Sequence, residues 1–235
     1  KSAIISHILE VNNKRVPVVL AIGGNHTKML VNTIKETDFS QIDAILSVSP
    51  YYNKPSQTGI FNHYKTIAVE SPVPVIIYNV PGRTGSNITA ETTLRLASET
   101  GNIMAVKEAS GNMEQIMAII KDKPEDFLVI SGDDALTFPM ISLGGNGVIS
   151  VAANAFPKDF SAMVKSALEN DIKTAREIHY KLLEVMKLLF VEGNPAGVKA
   201  ALNQLEIVEN EVRLPLSITS KDTFRKIGGQ IKNII

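Results

Sequence analysis

The chain has 235 residues, of which 44% are hydrophobic and 20% are charged, as in a globular domain. Its 24 Lys and Arg side chains balance 24 Asp and Glu side chains, which argues against nucleic acid or an anionic membrane as a partner because both select basic surfaces. There is no Cys, so disulfides, thiolate nucleophiles and Cys-based metal clusters are excluded, and the four His residues lack a metal-binding spacing. No apolar run reaches the ~20 residues of a membrane span and no secretory leader is recognisable, so we expect a cytoplasmic protein.

Six short, almost wholly apolar runs recur along the chain at intervals of ~20–30 residues, about one βα unit each. Strands without polar alternation are typical of parallel sheets that are buried on both faces. The predicted strands are Pro17–Ile22, Asp43–Val48, Val73–Asn79, Ile103–Lys107, Phe127–Ser131 and Gly147–Val151. This α/β pattern fits either an open doubly wound sheet or part of a (β/α)8 TIM barrel.

After the sixth predicted strand, helices follow one another directly. An apolar stripe at helical spacing runs from Ile172 to Phe190. A second helix is predicted to begin at Asn194-Pro195, with Asn194 as its cap, and a third covers Lys221–Ile234. The end of the chain is therefore predicted to be a helical appendage.

A complete barrel of this kind has eight strands and ~250 residues. Residues 1–13 have the pattern of a helix that leads into the first visible strand, so two strands and one helix are unaccounted for. We therefore interpret residues 1–170 as a (β/α)8 TIM barrel whose first two strands are missing from this chain. Residues 171–235 are interpreted as a C-terminal helical segment.

Catalytic residues of a barrel lie at the carboxyl ends of its strands, and three reactive side chains occur there. Lys107 follows four apolar residues, where desolvation favours a neutral amine able to form a Schiff base; a lysine extending to solvent or paired with Glu108 is the alternative. Tyr78 is placed either to relay protons or simply to pack. Arg83, in a Pro-Gly-Arg-Thr-Gly turn, either binds a carboxylate in bidentate fashion or is solvated.

Three further features have competing interpretations. Tyr51-Tyr52 is predicted to be an exposed pair that marks either an interface or a local loop core. Asp133-Asp134 resembles a metal or acid pair, but helix N-capping is favoured because no His lies nearby. The glycine-rich run Gly144–Gly147 enters a strand instead of leaving one, so a plain turn is favoured over a phosphate-binding loop.

Six motifs occur in one order over essentially the whole chain: SVSPYYNKPSQ (47–57), YNVPGRTG (78–85), VKEASGN (106–112), SGDDA (131–135), GGNGVISVAAN (144–154) and FVEGNPAGVK (190–199). In these motifs the chain resembles the dihydrodipicolinate synthases, of the pyruvate-dependent class I aldolase family that includes N-acetylneuraminate lyase. The resemblance implies a (β/α)8 barrel with a C-terminal helical segment, which agrees with the architecture inferred above.

The resemblance also implies an activity: a Schiff-base lyase that condenses pyruvate with L-aspartate 4-semialdehyde in diaminopimelate and lysine biosynthesis, without a metal or organic cofactor. Lys107 looks like the lysine that forms the Schiff base, and Tyr78 like the proton-relay tyrosine beside it. Tyr52 looks like the tyrosine that reaches into the neighbouring subunit's site, which implies a homo-oligomer, either a dimer or a dimer of dimers. Arg83 looks like the arginine that receives the carboxylate of the semialdehyde.

The same resemblance implies that the carbonyls of Gly132 and Ile149 lie around the pyruvate pocket. The family's Gly-Thr-Thr-Gly-Glu motif is absent from the chain, and we expect it upstream with the two missing strands. Asn25 and Tyr51 match residues that bind L-lysine in inhibited members, whereas Met29 stands in place of a glutamate that helps to hold it, so the resemblance leaves lysine open as an effector. The alternatives are a sibling aldolase or dehydratase acting on another 2-keto acid, an inactive truncated barrel, and a phosphosugar-binding barrel.

Overall fold

The computed structural model describes residues 2–234, which form two compact units divided between Ile130 and Ser131. All six predicted strands are present, and the first four pair in parallel and in chain order, as successive βα units do. The strands are β1 (Val19–Ala21), β2 (Ala44–Val48), β3 (Val75–Asn79), β4 (Ile103–Glu108), β5 (Leu128–Ser131) and β6 (Gly147–Val148).

The helices of the first unit begin where short polar side chains can cap them. Ser56, Thr89 and Asn112 each accept a hydrogen bond from the backbone N–H three residues later, which satisfies one of the free donors of a helix start. These helices are α1 (Ser2–Asn12), α2 (Thr27–Glu36), α3 (Gln57–Glu70), α4 (Pro81–Thr84), α5 (Ala90–Glu99) and α6 (Met113–Asp122).

The sheet of the first unit is apolar on both faces, as its unalternating sequence predicted. On one face Ala44, Ile76 and Ala105 pack together, with Leu46 and Leu128 against them. The side chains between them in sequence point to the opposite face, since successive residues of a strand alternate. That face is also buried, and its fully buried side chains include Ile45, Ile77, Val106 and Val129.

The second unit is mainly helical, as predicted for the end of the chain. Its helices are α7 (Thr137–Ser142), α8 (Pro157–Leu168), α9 (Ile172–Leu188), α10 (Ala196–Gln204) and α11 (Lys221–Ile234), with a 3₁₀ turn at Ala152–Asn154. Their main core cluster includes Phe160, Met163, Leu182, Met186 and Ile227, and a smaller cluster joins α7, α8 and α9. The predicted boundary between residues 170 and 171 falls between α8 and α9 and stays a prediction. Within residues 2–234, none of the helices has the length and apolarity that crossing a bilayer requires.

Two local predictions in this unit were wrong. Helix α10 begins at Ala196 with Pro195 at its cap position and no side-chain cap bond, so Asn194 is not the cap. Strand β6 ends at Val148 and not at Val151, because the chain turns there into the 3₁₀ segment.

The Gly144–Gly147 run is a turn, which was the favoured interpretation. The amides of Gly144 and Gly145 donate to the carbonyls of Ile141 and Met140, 2.9 and 2.8 Å away, and so close the end of α7. Gly144 has a φ of +104°, a conformation that favours glycine. These two amides are bonded to the helix, so they do not form an anion cradle.

His63 is a buried titratable side chain on α3. Its Nδ1 lies 2.8 Å from the hydroxyl of Thr27, at the start of α2, and its ring meets that of Tyr64 edge-on with centroids 5.3 Å apart. Burial lowers the pKa of His63 to about 4, from an ordinary value of 6.5. The folded protein therefore holds this imidazole neutral at neutral pH.

We expect the free energy of unfolding to fall as the pH is lowered from 6.5 towards 4, because the unfolded chain binds a proton at His63 before the folded chain does. Linkage between these two pKa values gives a loss of about 2 kcal/mol by about pH 5, measurable by urea unfolding at a series of pH values. The stabilisation that depends on a neutral His63 is complete above pH 6.5 and has been lost below about pH 4. His63→Gln should reduce the dependence of the unfolding free energy on pH. The control is His7→Gln, at an exposed position on α1, which should not reduce it. An equal pH dependence in His63→Gln and the parent chain would contradict the assignment.

Candidate active site

Two of the three side chains predicted to be catalytic, Tyr78 and Lys107, meet at the carboxyl ends of β3 and β4. Tyr78 and Lys107 are partners in the ladder between these two strands, so their side chains lie side by side on one face of the sheet. The pairing depends on a bulge: Val75 pairs with Ile103, but the next residue, Ile76, pairs with Ala105. The skipped residue, Met104, shifts the register by one, which brings Lys107 opposite Tyr78.

Lys107 is enclosed at the end of β4, with 9% of its surface exposed. Its Nζ lies 4.2 Å from the centroid of the Tyr78 ring, within the range of a cation–π contact. The predicted placement of a lysine amine next to the strand-end tyrosine is therefore present. An amine so enclosed is shielded from bulk water.

Tyr78 is half-buried, and two opposing influences act on its phenol. Burial raises the pKa of Tyr78 because it disfavours the phenolate, and the positive charge of Arg83 acts in the opposite direction. Burial is the larger influence, so the hydroxyl keeps its proton at neutral pH. It can therefore donate that proton to a group formed at the lysine nitrogen.

Arg83 is carried by the single turn of helix α4. Pro81 opens this turn with the φ that its ring imposes, and Gly85 closes it with a φ of +71° and an N–H bond to the Pro81 carbonyl. The Arg83 side chain is exposed and lines a cavity of about 410 Å³ together with Tyr51 and Tyr78. A guanidinium at the rim of a cavity can bind a carboxylate without being desolvated completely.

Tyr52 does not lie in this cavity: its side chain is 88% exposed, whereas that of Tyr51 lines the cavity wall. The backbone of Tyr52 has a φ of +72°, which is uncommon for a residue with a side chain. Hydrogen bonds hold the loop in place: the Tyr52 amide donates to the Thr84 carbonyl at 3.4 Å, and Asn25 Nδ2 donates to the Tyr51 carbonyl at 3.1 Å. Both tyrosines are exposed, which confirms the predicted exposure of the pair, and Tyr51 also lines the cavity wall.

Gly132 and Ile149 belong to the second unit, where both are half-buried. The Ile149 amide donates to the carbonyl of Ser131, 3.0 Å away, which places Ile149 beside the residue that precedes Gly132. The Asp134 carboxylate accepts bonds from the amides of Val151 and Ala152, at 3.2 and 2.7 Å, and secures the loop after β6.

Both members of the Asp133-Asp134 pair therefore bind backbone amides, but the predicted helix N-capping was wrong, because the cap position of α7 is Leu136 and has no side-chain cap bond. The Asp133 carboxylate accepts bonds from the amides of Ala135 and Leu136, immediately before α7. Among residues 2–234 there is no group of three His, Asp or Glu side chains arranged to hold a metal ion.

Sequence reasoning missed four polar residues behind the site, namely Asn79, Asn87, Glu108 and Gln115. Glu108 was considered only as a partner of Lys107, but strand alternation directs its side chain to the opposite face. There its carboxylate is fully buried and accepts bonds from Asn79 and Gln115. Two signals in the sequence could have found this cluster: a charged residue directly after the strand-end lysine, and an amide directly after the strand-end tyrosine.

Comparison with known proteins identifies the family of the chain. Residues 1–234 match the sequence profile described as the Dihydrodipicolinate synthetase family. The chain belongs to this family. Its fold is accordingly the TIM-barrel-like α/β fold of the family, with C-terminal helices.

Relatives match over most of the chain. The 4-hydroxy-tetrahydrodipicolinate synthase of Parabacteroides distasonis is 56% identical over 227 residues, which cover 97% of this chain and 76% of the relative. The chloride-inhibited dihydrodipicolinate synthase of Acinetobacter baumannii, solved in complex with pyruvate, is 36% identical with a TM-score of 0.94, covering 98% of this chain and 79% of the other. The synthase of Cyanidioschyzon merolae, solved with lysine bound, is 39% identical with a TM-score of 0.88, covering 93% and 74%.

Because the charge of Arg83 favours the phenolate of Tyr78, we expect Arg83→Gln to raise the pKa of the Tyr78 phenol further. The absorbance of phenolate during an alkaline titration measures this pKa. Subtracting the titration curve of Tyr78→Phe isolates Tyr78 from the other tyrosines, of which the chain has five in all. Arg95→Gln is the control, since Arg95 instead contacts Phe61 and Glu99. A Tyr78 titration that is the same in Arg83→Gln and the parent chain would show that the two groups are not coupled.

Proposed function

We propose that the chain condenses pyruvate with L-aspartate 4-semialdehyde to give 4-hydroxy-tetrahydrodipicolinate, through a Schiff base on Lys107. The observation that carries the proposal is the Lys107 Nζ, enclosed 4.2 Å from the centroid of the Tyr78 ring. An amine in this position can attack a ketone and exchange protons with the adjacent phenol. The pyruvate complex of the A. baumannii relative supports pyruvate as the first substrate.

The chemistry requires only groups that the chain and the substrates supply. The neutral amine of Lys107 adds to the ketone carbon of pyruvate, and loss of water from the carbinolamine gives an iminium. The iminium withdraws electrons, so the pyruvate methyl group loses a proton and an enamine forms. The enamine carbon adds to the aldehyde, whose oxygen takes up a proton, and the amine of the semialdehyde then attacks the iminium carbon, closes the ring and expels Lys107.

In this proposal Tyr78 moves protons to and from the carbinolamine, and Tyr52 completes the relay from a neighbouring subunit. The exposed position of Tyr52 supports this division, because a side chain directed to the surface can reach another chain. The active form would then be at least a dimer, either alone or as half of a dimer of dimers.

Arg83 is proposed to bind the carboxylate of the semialdehyde, which its position at the cavity rim supports. The carbonyls of Gly132 and Ile149 are proposed to accept hydrogen bonds around pyruvate. The bond between the Ile149 amide and the Ser131 carbonyl supports this pairing, because it holds the two loop segments next to each other.

We further propose that the full barrel is closed by two strands beside the outer edge of β1. Among the described strands β1 pairs only with β2, and Val19 on it is 42% exposed. Proteins normally pair or cover an open parallel edge of this kind.

L-lysine is proposed to bind only weakly, although the C. merolae relative was solved with lysine bound. Asn25 Nδ2 donates to the Tyr51 carbonyl at 3.1 Å, and Met29 follows at the start of α2 with 64% of its surface exposed. A thioether offers no charge to an ammonium group, so a lysine molecule at this position would lack an ionic partner.

The Schiff base predicts that borohydride in the presence of pyruvate adds the mass of one reduced pyruvate to the protein, at Lys107. Lys107→Ala should abolish the addition because it removes the enclosed amine that lies against the Tyr78 ring. Intact mass followed by peptide mapping measures both, and Lys121→Ala, an exposed lysine on α6, is the control that should trap pyruvate normally. Trapping that persists in Lys107→Ala would place the nucleophile elsewhere.

Arg83→Ala is expected to lower kcat/KM for the semialdehyde by about 10- to 100-fold, the contribution of a hydrogen bond to a charged group. Imine formation with pyruvate should change much less, since the guanidinium is assigned to the second substrate. Steady-state kinetics and borohydride trapping on the same preparation separate the two effects. Equal losses in both measurements would overturn this assignment.

A further inference from the structure

A buried polar cluster lies behind the lysine–tyrosine pair, on the opposite face of the sheet. We call the side chains of Asn79, Asn87, Glu108 and Gln115 the amide–carboxylate cluster. Asn79 and Glu108 are themselves ladder partners, one residue beyond Tyr78 and Lys107, and both are fully buried. The same strand pairing therefore aligns the reactive pair on one face and this cluster on the other.

The Glu108 carboxylate accepts hydrogen bonds at both of its oxygens. Asn79 Nδ2 lies 3.2 and 3.0 Å from its two oxygens, Gln115 Nε2 lies 3.1 Å from one, and the Ser110 amide lies 2.7 Å from the other. A carboxylate accepts at both oxygens, whereas a neutral amide accepts at only one. Position 108 therefore requires a group that only accepts.

The orientation of the donors is fixed by the backbone. The Ile88 amide donates to Asn79 Oδ1 at 2.9 Å, and because a backbone N–H cannot be reversed, the Asn79 NH₂ must face Glu108. That NH₂ also donates to Asn87 Oδ1, and Asn87 Nδ2 donates to Gln115 Oε1, each at 2.8 Å. The Gln115 NH₂ is thereby also directed at Glu108. Reversing any one amide would leave two donors facing each other.

The cluster connects the backbone segments that carry the reactive groups. It joins the last residues of β3 and β4 to the start of α6 and to residues 87–88, which follow the turn that presents Arg83. A shift of the order of 1 Å in a reacting group can slow a reaction about 100-fold. The alignment of the lysine with its tyrosine therefore depends on how firmly these strand ends are held.

We propose that Glu108 is a positioning residue of the reaction: its buried carboxylate fixes the ends of β3 and β4, so that the Lys107 amine stays against Tyr78. This inference rests on the proposed function, because it concerns the geometry that imine formation needs. Glu108 touches no reacting atom in it and acts through the two strand ends.

Glu108→Gln is the test, since it keeps the size of the side chain and places an NH₂ among the donors. We expect the rate of pyruvate-dependent borohydride trapping to fall on the order of 100-fold, with trapping still at Lys107. Circular dichroism measures the folded fraction of each preparation, and a rate per folded molecule equal to that of the parent chain would overturn the proposal.

A double-mutant cycle separates positioning from simple destabilisation. Tyr78→Phe should slow trapping in the parent chain and slow it much less in the Glu108→Gln background, where the pair is already misaligned. Losses that multiply independently would mean that Glu108 does not act through Tyr78, and would overturn the proposal.

Glu192→Gln is the matched control, because the Glu192 carboxylate also accepts bonds from a backbone amide and side chains, those of Ser220 and Thr223 at the start of α11. Its rate per folded molecule should be unchanged; a loss as large as that of Glu108→Gln would overturn the proposal.

If Glu108→Gln does not fold, Gln115→Met, which removes one donor, should still slow trapping, and an unchanged rate would overturn the proposal. A parent chain that traps no pyruvate would instead refute the proposed function.

Discussion

The register of β3 against β4 is the constraint on which the site depends. Side chains in a strand alternate between faces, so a slip of one residue would direct Lys107 away from Tyr78, to the opposite face of the sheet, and bring the Glu108 carboxylate to the face of Tyr78. The bulge at Met104 sets the register. Only after this extra residue do Tyr78 and Lys107 become partners, and Asn79 and Glu108 with them. Bulges are common beside active sites for this reason: they re-aim a side chain without changing the rest of the sheet.

The two faces of this pairing have opposite physical requirements. On the cavity face the amine and the phenol must be accessible to a small substrate, and each must be able to exchange protons. On the opposite face the polar groups are buried, and burying a carboxylate there is unfavourable unless its oxygens accept hydrogen bonds. Residues such as Gln115 and Ser110 meet that requirement. The lysine–tyrosine pair, whose charges would change during the proposed reaction, therefore lies beside a carboxylate whose hydrogen bonds are already formed.

The sequence predicted most of the fold because the physics involved is local. Apolar runs of strand length, helical periodicity and capping residues depend on near neighbours, and the predicted third C-terminal helix coincides with α11. The strand-end position of Lys107 was also predictable. The exposure of Tyr52 was predicted and is confirmed. The bulge and the early end of β6 were not predictable, because each depends on contacts between distant segments, such as the Asp134 carboxylate with the amide of Ala152. The roles given to Gly132 and Ile149 are still predictions.

The conformation of the Tyr52 loop has a consequence for association. Ordering a flexible loop at an interface uses up part of the free energy that the new contacts provide. Here the backbone is already held in an uncommon conformation by Asn25 and Thr84, so only the side-chain rotation of Tyr52 remains to be restricted. A second chain that meets this aromatic ring would find its anchor pre-organised. The conformational entropy of this loop is therefore lost when a single chain folds, and not when two chains associate.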